Sequence, residues 1–315
     1  MQNVPREEKV AKTLGWASLG LGVAVLATPG RANRLAGIGA EGLSKDPAYE
    51  PPGPFKAIKG GCAVAARHTL ERDVAPGIHR VENANVNWYV VEGEGGLTIV
   101  DAGVPASWDT LAIVLGELGR DRGEIKALVL THAHFDHIGM AERLRAEWGV
   151  PVHVHENDVP LARKPMQYSH ERARSRYLLG RPRALPYILG FLHARAFWPP
   201  PVRELRRYGD TGELSVPGAP RVVFTPGHTL GHCSLHFPDR DAVIAGDALV
   251  MLDPYTGEPG PRLVARAATA DGERALRSLD TFAATGAATV LSGHGKPWRK
   301  GAEAAAAAAR TAGMA

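Results

Sequence analysis

The sequence predicts an α/β domain in which several strands end at residues that bind metals. From about Gly77 onwards, short apolar runs typical of strands alternate with longer stretches that carry one apolar helical face. One such run ends just before His132, and His134 and His137 follow it within a few positions. Loops at one edge of stacked sheets are where α/β scaffolds usually build their sites. We therefore expect one metal centre built from distant parts of the chain.

Composition indicates a large globular domain with appendages. The 315 residues are 44% hydrophobic and 22% charged, with a net charge of +4, which suits one domain of about 250 residues. The two cysteines, Cys62 and Cys233, belong to no CxxC pair, so neither a disulfide framework nor a thiolate metal site is predicted. Since nothing demands an oxidising compartment, we expect a cytoplasmic protein.

Residues 1–54 are predicted to form an apolar helical appendage that ends in a Pro/Gly-rich linker. The apolar run at 14–27 is shorter than the roughly 20 residues that a membrane-spanning helix needs. Three interpretations remain open: a removable secretion signal over 1–27, a helix that contacts a membrane surface through 14–38, or a helix that docks on the domain.

Periodicity predicts the elements of a catalytic domain over 55–300. The expected elements up to residue 155 are strands at 78–81, 86–91 and 97–100, a helix near 107–119, a strand at 127–130, a helix at 140–148 and a strand at 152–155. The second and third strands flank a glycine-rich hairpin turn. Beyond residue 207 we expect strands at 213–214, 221–224, 234–237 and 241–245, a helix near 270–284, a strand at 289–292 and an Ala-rich helix within 301–315.

A basic and aromatic segment, residues 158–207, interrupts this pattern as an insertion. Between Arg163 and Arg207 it carries eleven lysines and arginines but two acidic residues, and prolines divide it into short pieces. One interpretation is a lid that accepts a small-molecule substrate with an acyl or aromatic group and an anionic group. The other is a solvated basic face with its aromatic residues packed inward. Nucleic acid is not the expected partner.

The strongest motif is the sequence His-x-His-x-Asp-His at residues 132–137. A turn after a strand lets alternate side chains converge, and imidazoles with a carboxylate suit zinc or iron. Four more residues of metal-binding type follow apolar runs elsewhere in the chain, namely Asp101, His228, Asp247 and His294.

Taken together, these motifs resemble the metallo-β-lactamase superfamily over roughly residues 75–300. The match includes Thr225-Pro226-Gly227-His228, Ala245-Gly246-Asp247 and Ser292-Gly293-His294-Gly295, in the family's order. The resemblance implies an αββα four-layer sandwich with the site along one edge of the two sheets. It also implies one metal ion on His132, His134 and His228, a second on Asp136, His137 and His294, and Asp247 bridging both.

By the same resemblance, the site holds two zinc ions, with iron or manganese as alternatives. Two such ions can share a water whose pKa falls toward about 7, and Asp136 can orient the resulting hydroxide. Asp136 and Asp247 are thus the catalytic carboxylates. Supporting roles are expected for Asp101, Thr131 and His232, which would orient the ligands rather than bind metal.

Differences from well-known members of the superfamily narrow the range of activities that we expect. An aspartate, Asp247, stands where common zinc β-lactamases have a cysteine, and only 21 residues follow His294, too few for a glutathione-binding region. We therefore expect hydrolysis of a lactone, thioester or related ester. A mononuclear iron persulfide dioxygenase and a phosphodiesterase or nuclease remain as alternatives, and the sequence leaves the oligomeric state open.

Overall fold

Two β-sheets packed face to face form the centre of the computed structural model, and helices cover their outer faces. The structure describes residues 68–174, 177 and 180–315; the expected appendage at 1–54, its segment 14–38 and Cys62 lie outside them. Residues Ala66–Arg172 and Arg181–Ala315 form one compact unit, which contains both sheets. Within the described ranges, no helix has the length and apolarity needed to cross a membrane.

The first sheet has seven strands in sequential order. They are β1 (His68–Ala75), β2 (Ile78–Asn83), β3 (Val86–Gly93), β4 (Gly96–Val100), β5 (Ile125–Val129), β6 (Val152–His155) and β7 (Arg206–Tyr208). Strands β1 to β4 pair antiparallel, whereas β4 to β7 pair parallel. The chain that joins two neighbouring parallel strands therefore has to run back over one face of the sheet, and helices lie on that face.

The second sheet has four strands and lies against the first. The remaining strands are β8 (Arg221–Phe224), β9 (Cys233–Phe237), β10 (Ala242–Gly246), β11 (Val250–Asp253), β12 (Glu258–Arg262) and β13 (Thr289–Ser292). The order in this sheet is β13-β10-β9-β8, with β13 and β10 parallel, while β11 and β12 form a separate hairpin.

Helices complete the outer layers. They are α1 (Ser107–Leu118), α2 (Ala141–Trp148), α3 (Val159–Arg163), α4 (Leu185–His193), α5 (Gly272–Ala283) and α6 (Ala302–Ala312). Helices α1 and α2 share a core with the first sheet through Leu111 and Leu144. Helices α5 and α6 share another with the second sheet through Phe282 and Ala305.

The alternation of side chains along the strands separates the layers. In β3, Trp88 and Val90 face the helices, whereas Tyr89 and Val91 face the second sheet. In β10, Ala242 and Ile244 face the first sheet, and Val243 faces α5 and α6. Since successive strand residues point to opposite faces, continuous apolar runs are what a sheet buried on both sides requires. The αββα sandwich implied by the motifs is confirmed.

Most predicted elements are present, with four differences. Strand β1 begins well before Gly77, and the hairpin β11–β12 was not predicted, because prolines at 259 and 261 obscure its pattern. The expected strand at 213–214 is only an isolated bridge between Glu213 and Arg221. The segment 158–207 is not wholly an insertion, since its last residues form β7, a short polar strand that only sheet pairing reveals.

Candidate metal centre

Five strands of the two sheets end at the candidate site. Strand β4 leads to Asp101, β5 to His132, β8 to His228, β10 to Asp247 and β13 to His294. Strands β4 and β5 run parallel, as do β10 and β13, so their carboxyl ends lie at the same edge of each sheet. This shared edge brings together residues that are far apart in the sequence.

The side chains predicted to bind metal form two groups. His132, His134 and His228 offer nitrogens that all lie within 4.8 Å of one another, and so do the ligand atoms of the second group. The second group contains Asp136, His137 and His294. All six side chains are buried. The structure therefore brings these six side chains together in the two groups that the family resemblance implies.

Asp247 lies between the two groups. Its Oδ2 is 3.4 Å from Nε2 of His228 in the first group and 3.3 Å from Nε2 of His294 in the second. Its Oδ1 is 3.7 Å from Nε2 of His137. Oδ2 of Asp247 thus faces a histidine of each group, which is the position that the bridging assignment leads us to expect.

Gly293 makes room for this carboxylate. A Cβ at this position would lie 2.1 Å from Oδ1 of Asp247 and 2.7 Å from the ring of His137. Any larger residue would displace both side chains, which explains the glycine before His294.

Asp101 orients the first strand-end loop. Its carboxylate accepts hydrogen bonds from the backbone N–H of Thr131 (2.7 Å) and from the Thr131 hydroxyl (2.9 Å). Oδ2 also lies 3.2 Å from Nδ1 of His137. Asp101, His132 and His137 form a third group close enough to hold a metal, but these bonds already use the carboxylate of Asp101. The structure thus gives Asp101 and Thr131 the supporting geometry expected of them.

Hydrogen bonds at Nδ1 fix three of the imidazole rings. His294 donates from Nδ1 to the carbonyl of Asn85 (2.8 Å), His137 pairs with Asp101, and His132 Nδ1 lies 3.0 Å from the Thr131 hydroxyl. Because a carbonyl only accepts, Nδ1 of His294 carries a proton, and Nε2 is the atom that faces Asp136 and Asp247. The Nε2 atoms of these rings are left to face the two groups.

The unpartnered atoms of the site fit bound metal ions. Six atoms of these residues are buried without a hydrogen-bond partner: Nε2 of His132, His134, His137 and His228, Nδ1 of His228, and Oδ1 of Asp247. Burying one such atom unsatisfied costs about 1–3 kcal/mol, so a cluster of six needs an explanation. Imidazoles with carboxylates and no thiolate form a donor set that suits zinc or iron.

The electrostatics of the two groups differ. Burial, followed by neighbouring imidazoles, lowers the pKa of His132 well below its usual range, and burial lowers the pKa of His228 to about 3. In the second group, burial also lowers the pKa of His294, but the carboxylates of Asp247 and Asp136 outweigh it and raise this pKa well above its ordinary value. The first group therefore offers neutral nitrogens, whereas the second is coupled to negative charge.

His232 supports Asp247 rather than binding metal. Its Nε2 accepts the backbone N–H of Asp247 (2.9 Å), and its Nδ1 lies 2.9 Å from the hydroxyl of Thr225. Both ring nitrogens are thus used. Burial lowers the pKa of His232 to about 3, which keeps the accepting nitrogen unprotonated. This geometry agrees with the supporting role expected for His232.

Asp158 is a supporting residue that sequence reasoning missed. Its Oδ2 accepts the backbone N–H of Ala133 (3.0 Å) and the hydroxyl of Thr229 (2.7 Å). Its Oδ1 accepts the backbone N–H of Gly231 (2.8 Å). One buried carboxylate therefore ties the loop of His132 and His134 to the loop of His228. No motif marks Asp158, because its partners lie 25 to 73 residues away.

The insertion supplies aromatic side chains beside the ligands. The ring of Tyr168 lies 4.5 Å from that of His134, and the ring of Phe191 lies 6.4 Å from that of His294, measured between centroids. Phe135 packs against both and against Phe197 (5.5 Å). All the lysines and arginines described between 163 and 207 are exposed except Arg174. The aromatic side chains therefore line one side of the site, and most of the cations face solvent; that the segment accepts a substrate stays a prediction.

Comparison with known proteins identifies the family. The model of the metallo-β-lactamase superfamily matches residues 82–294, which contain every predicted ligand. A curated relative named probable metallo-hydrolase YflN, from Bacillus subtilis (strain 168), is 29% identical over 79% of this chain and 92% of its own length. The uncharacterized protein Rv2581c of Mycobacterium tuberculosis (strain ATCC 25618 / H37Rv) is 30% identical over 69% of this chain and 89% of its own.

Solved structures agree with this assignment. The metallo-β-lactamase family protein TTHA1429 from Thermus thermophilus has a TM-score of 0.52 and 26% identity, covering 74% of this chain and 77% of its own. TTHA1623, solved in a di-iron-bound form, has a TM-score of 0.50 and 25% identity, covering 70% of this chain and 92% of its own. The chain belongs to the metallo-β-lactamase superfamily and is a metallo-hydrolase of that fold.

Proposed function

We propose that this enzyme uses two metal ions, zinc in the first place, to hydrolyse an activated carbonyl substrate such as a lactone, thioester or related ester. The position of Asp247 carries the proposal. Its two oxygens lie 3.3–3.7 Å from Nε2 of His228, His137 and His294, so it faces both groups at once. A single ion held by imidazoles and Asp247 would leave the second group, Asp136, His137 and His294, without a metal.

Each metal-binding residue would have a defined place in the site. His132, His134 and His228 would hold one ion, Asp136, His137 and His294 the other, and Asp247 both. When bound, such a pair of ions acts as a Lewis acid and lowers the pKa of water toward about 7. Asp136 is buried beside His294, with Oδ2 3.5 Å from Nε2, where it can accept a hydrogen bond from the attacking water and orient it.

The residues behind the ligands would keep these atoms in place. Asp101 and Thr131 hold the loop of His132 and His137, and His232 holds the backbone at Asp247. Ligand orientation of this kind typically affects metal affinity or activity 10- to 100-fold, as a rough guide. The buried rings of Phe135, Phe191 and Phe197 pack against one another and form an apolar wall beside the ligands.

Hydrolysis of β-lactams is a weaker candidate. Cys233 does not take the position of Asp247, because it begins β9, is buried, and directs its Sγ toward the carbonyl of Gly231 at 3.7 Å. Iron is the alternative metal, since TTHA1623 was solved in a di-iron-bound form.

The deciding experiment combines metal analysis with a substrate panel. Metal content is measured by plasma mass spectrometry on purified protein, and lactones, thioesters, β-lactams and bis-4-nitrophenyl phosphate are offered to the same sample. We expect two metal ions per chain and turnover of a lactone or thioester. One iron per chain with oxygen uptake would replace this proposal by a persulfide dioxygenase, and turnover of the phosphodiester alone would replace it by a phosphodiesterase.

A further inference from the structure

A cavity of about 390 Å³ opens onto the first metal group. His134 and His228 line it together with helix α3 and the loop after β8. The volume falls in the range of small-molecule sites, roughly 300–1,000 Å³. A substrate bound in this cavity would therefore have its reacting bond beside the metal-binding side chains His134 and His228.

The walls of this cavity combine apolar and polar side chains. Pro160 and Leu161 of α3 form part of the wall, and Leu230 from the loop after β8 contributes a side chain that is 47% exposed. Asn157 joins the two sides, since its Nδ2 donates to the carbonyl of Leu230 (3.4 Å). An apolar segment of a substrate would cover Leu161 and Leu230 from solvent.

One charged side chain that lines the cavity makes no ion pair or hydrogen bond with a described residue. His134 and His228 belong to the metal group, and both oxygens of Asp158 are occupied by three donors. Lys164, at the end of α3, also lines the cavity, and its ammonium group makes no ion pair or hydrogen bond with another described residue. Of the lysines and arginines described between 163 and 207, Lys164 alone lines it.

We propose that Lys164 binds an anionic group of the substrate while the bond to be cleaved lies beside His134 and His228. This inference rests on the proposed function and narrows its substrate class. The substrate is an ester, thioester or lactone that carries a carboxylate or phosphate, separated from the reacting carbonyl by a short apolar segment. The ammonium group recognises the anion as a point charge, and Pro160, Leu161 and Leu230 contact the apolar segment.

The test compares two esters of equal chain length on the metal-loaded enzyme, 4-nitrophenyl hydrogen glutarate and 4-nitrophenyl valerate. Replacing Lys164→Met should raise the ratio of KM for the glutarate ester to KM for the valerate ester roughly tenfold or more, the size expected for a lost charge-assisted hydrogen bond. Lys164→Glu should raise it further, because the anion would then meet a like charge. The matched control is Arg163→Met, which removes an exposed neighbouring cation outside the cavity lining and should leave the ratio unchanged.

An unchanged ratio in Lys164→Met would overturn the inference while leaving ester hydrolysis intact. Absence of turnover of both esters by the wild-type enzyme would instead count against the proposed function. In that case, calorimetric titration with glutarate and with inorganic phosphate decides the inference separately. If Lys164→Met weakens the binding of either anion and Arg163→Met does not, the result supports the anion site and identifies the group that it prefers. Equal binding of the anions by both variants refutes the inference.

Discussion

The metal centre and the insertion at 158–207 adjoin each other but are built from different interactions. At the metal centre, three of the buried imidazoles, those of His132, His137 and His294, are held by a hydrogen bond at Nδ1. The insertion contacts the site through ring packing of Tyr168 and Phe191, and most of its cations are exposed. Metal chemistry needs atoms fixed to a fraction of an ångström, whereas substrate selection needs a wall of suitable shape and charge.

This comparison predicts that changes at the metal centre and at Asp158, which ties its loops together, alter metal content. Changes at the aromatic side chains of the insertion should instead alter substrate binding and stability but leave metal content unchanged. The largest effect is expected for Asp247→Asn. Loss of a carboxylate between the two groups should lower turnover by about 10³-fold, corresponding to several kcal/mol, and should reduce bound metal from two ions to one or none. Metal analysis and turnover of the best panel substrate measure both. Asp210→Asn, an exposed aspartate bonded to His155, is the control, and full activity of Asp247→Asn would refute the dinuclear proposal.

A smaller effect is expected for Asp158→Asn. The amide would place an N–H group against donors from Ala133, Thr229 or Gly231, so the loops carrying His134 and His228 would separate. Metal affinity should fall about 10- to 100-fold, measured by competition with a chelator.

The control for this variant is Asp253→Asn. Asp253 is also buried and accepts two hydrogen bonds, from the backbone N–H of Tyr255 and the hydroxyl of Thr256, but it supports the turn between β11 and β12. Both variants should lower the free energy of unfolding by a comparable amount. Only Asp158→Asn should lose metal affinity. An equal loss of metal affinity in Asp158→Asn and Asp253→Asn would show that Asp158 supports the fold and has no particular role at the metal centre.

The smallest effect on the metal centre is expected from the insertion. Phe191→Ala removes a buried ring that packs against Phe135 and Phe197 and should cost about 3 kcal/mol of unfolding free energy. KM should rise while metal content stays at two ions. Leu189 lies on the same helix, and its side chain is 55% exposed. The control variant Leu189→Ala should therefore change the free energy of unfolding by less than about 0.5 kcal/mol. Loss of one metal ion in Phe191→Ala would break the distinction between the two regions.

The candidate site was predictable to the extent that its residues lie in local motifs. The groups at His132, His228, Asp247 and His294 each follow a strand, and apolar runs with turn residues identify strands without knowledge of the fold. Strand β7 and the hairpin β11–β12 escaped prediction, since their polar or proline-containing sequences become strands only through pairing with neighbours.

The sequence by itself determined the residue types of the metal centre and their order, because ligand chemistry is a property of short segments, and the αββα layers followed from the family resemblance of its motifs. Only the tertiary structure decided which nitrogen of His294 faces the second group, that Asp158 joins two ligand loops, and that Lys164 alone of the basic segment's described cations lines the cavity. These features depend on contacts between residues up to 209 positions apart. Such contacts exist only once the two sheets have packed and their strand ends share one edge.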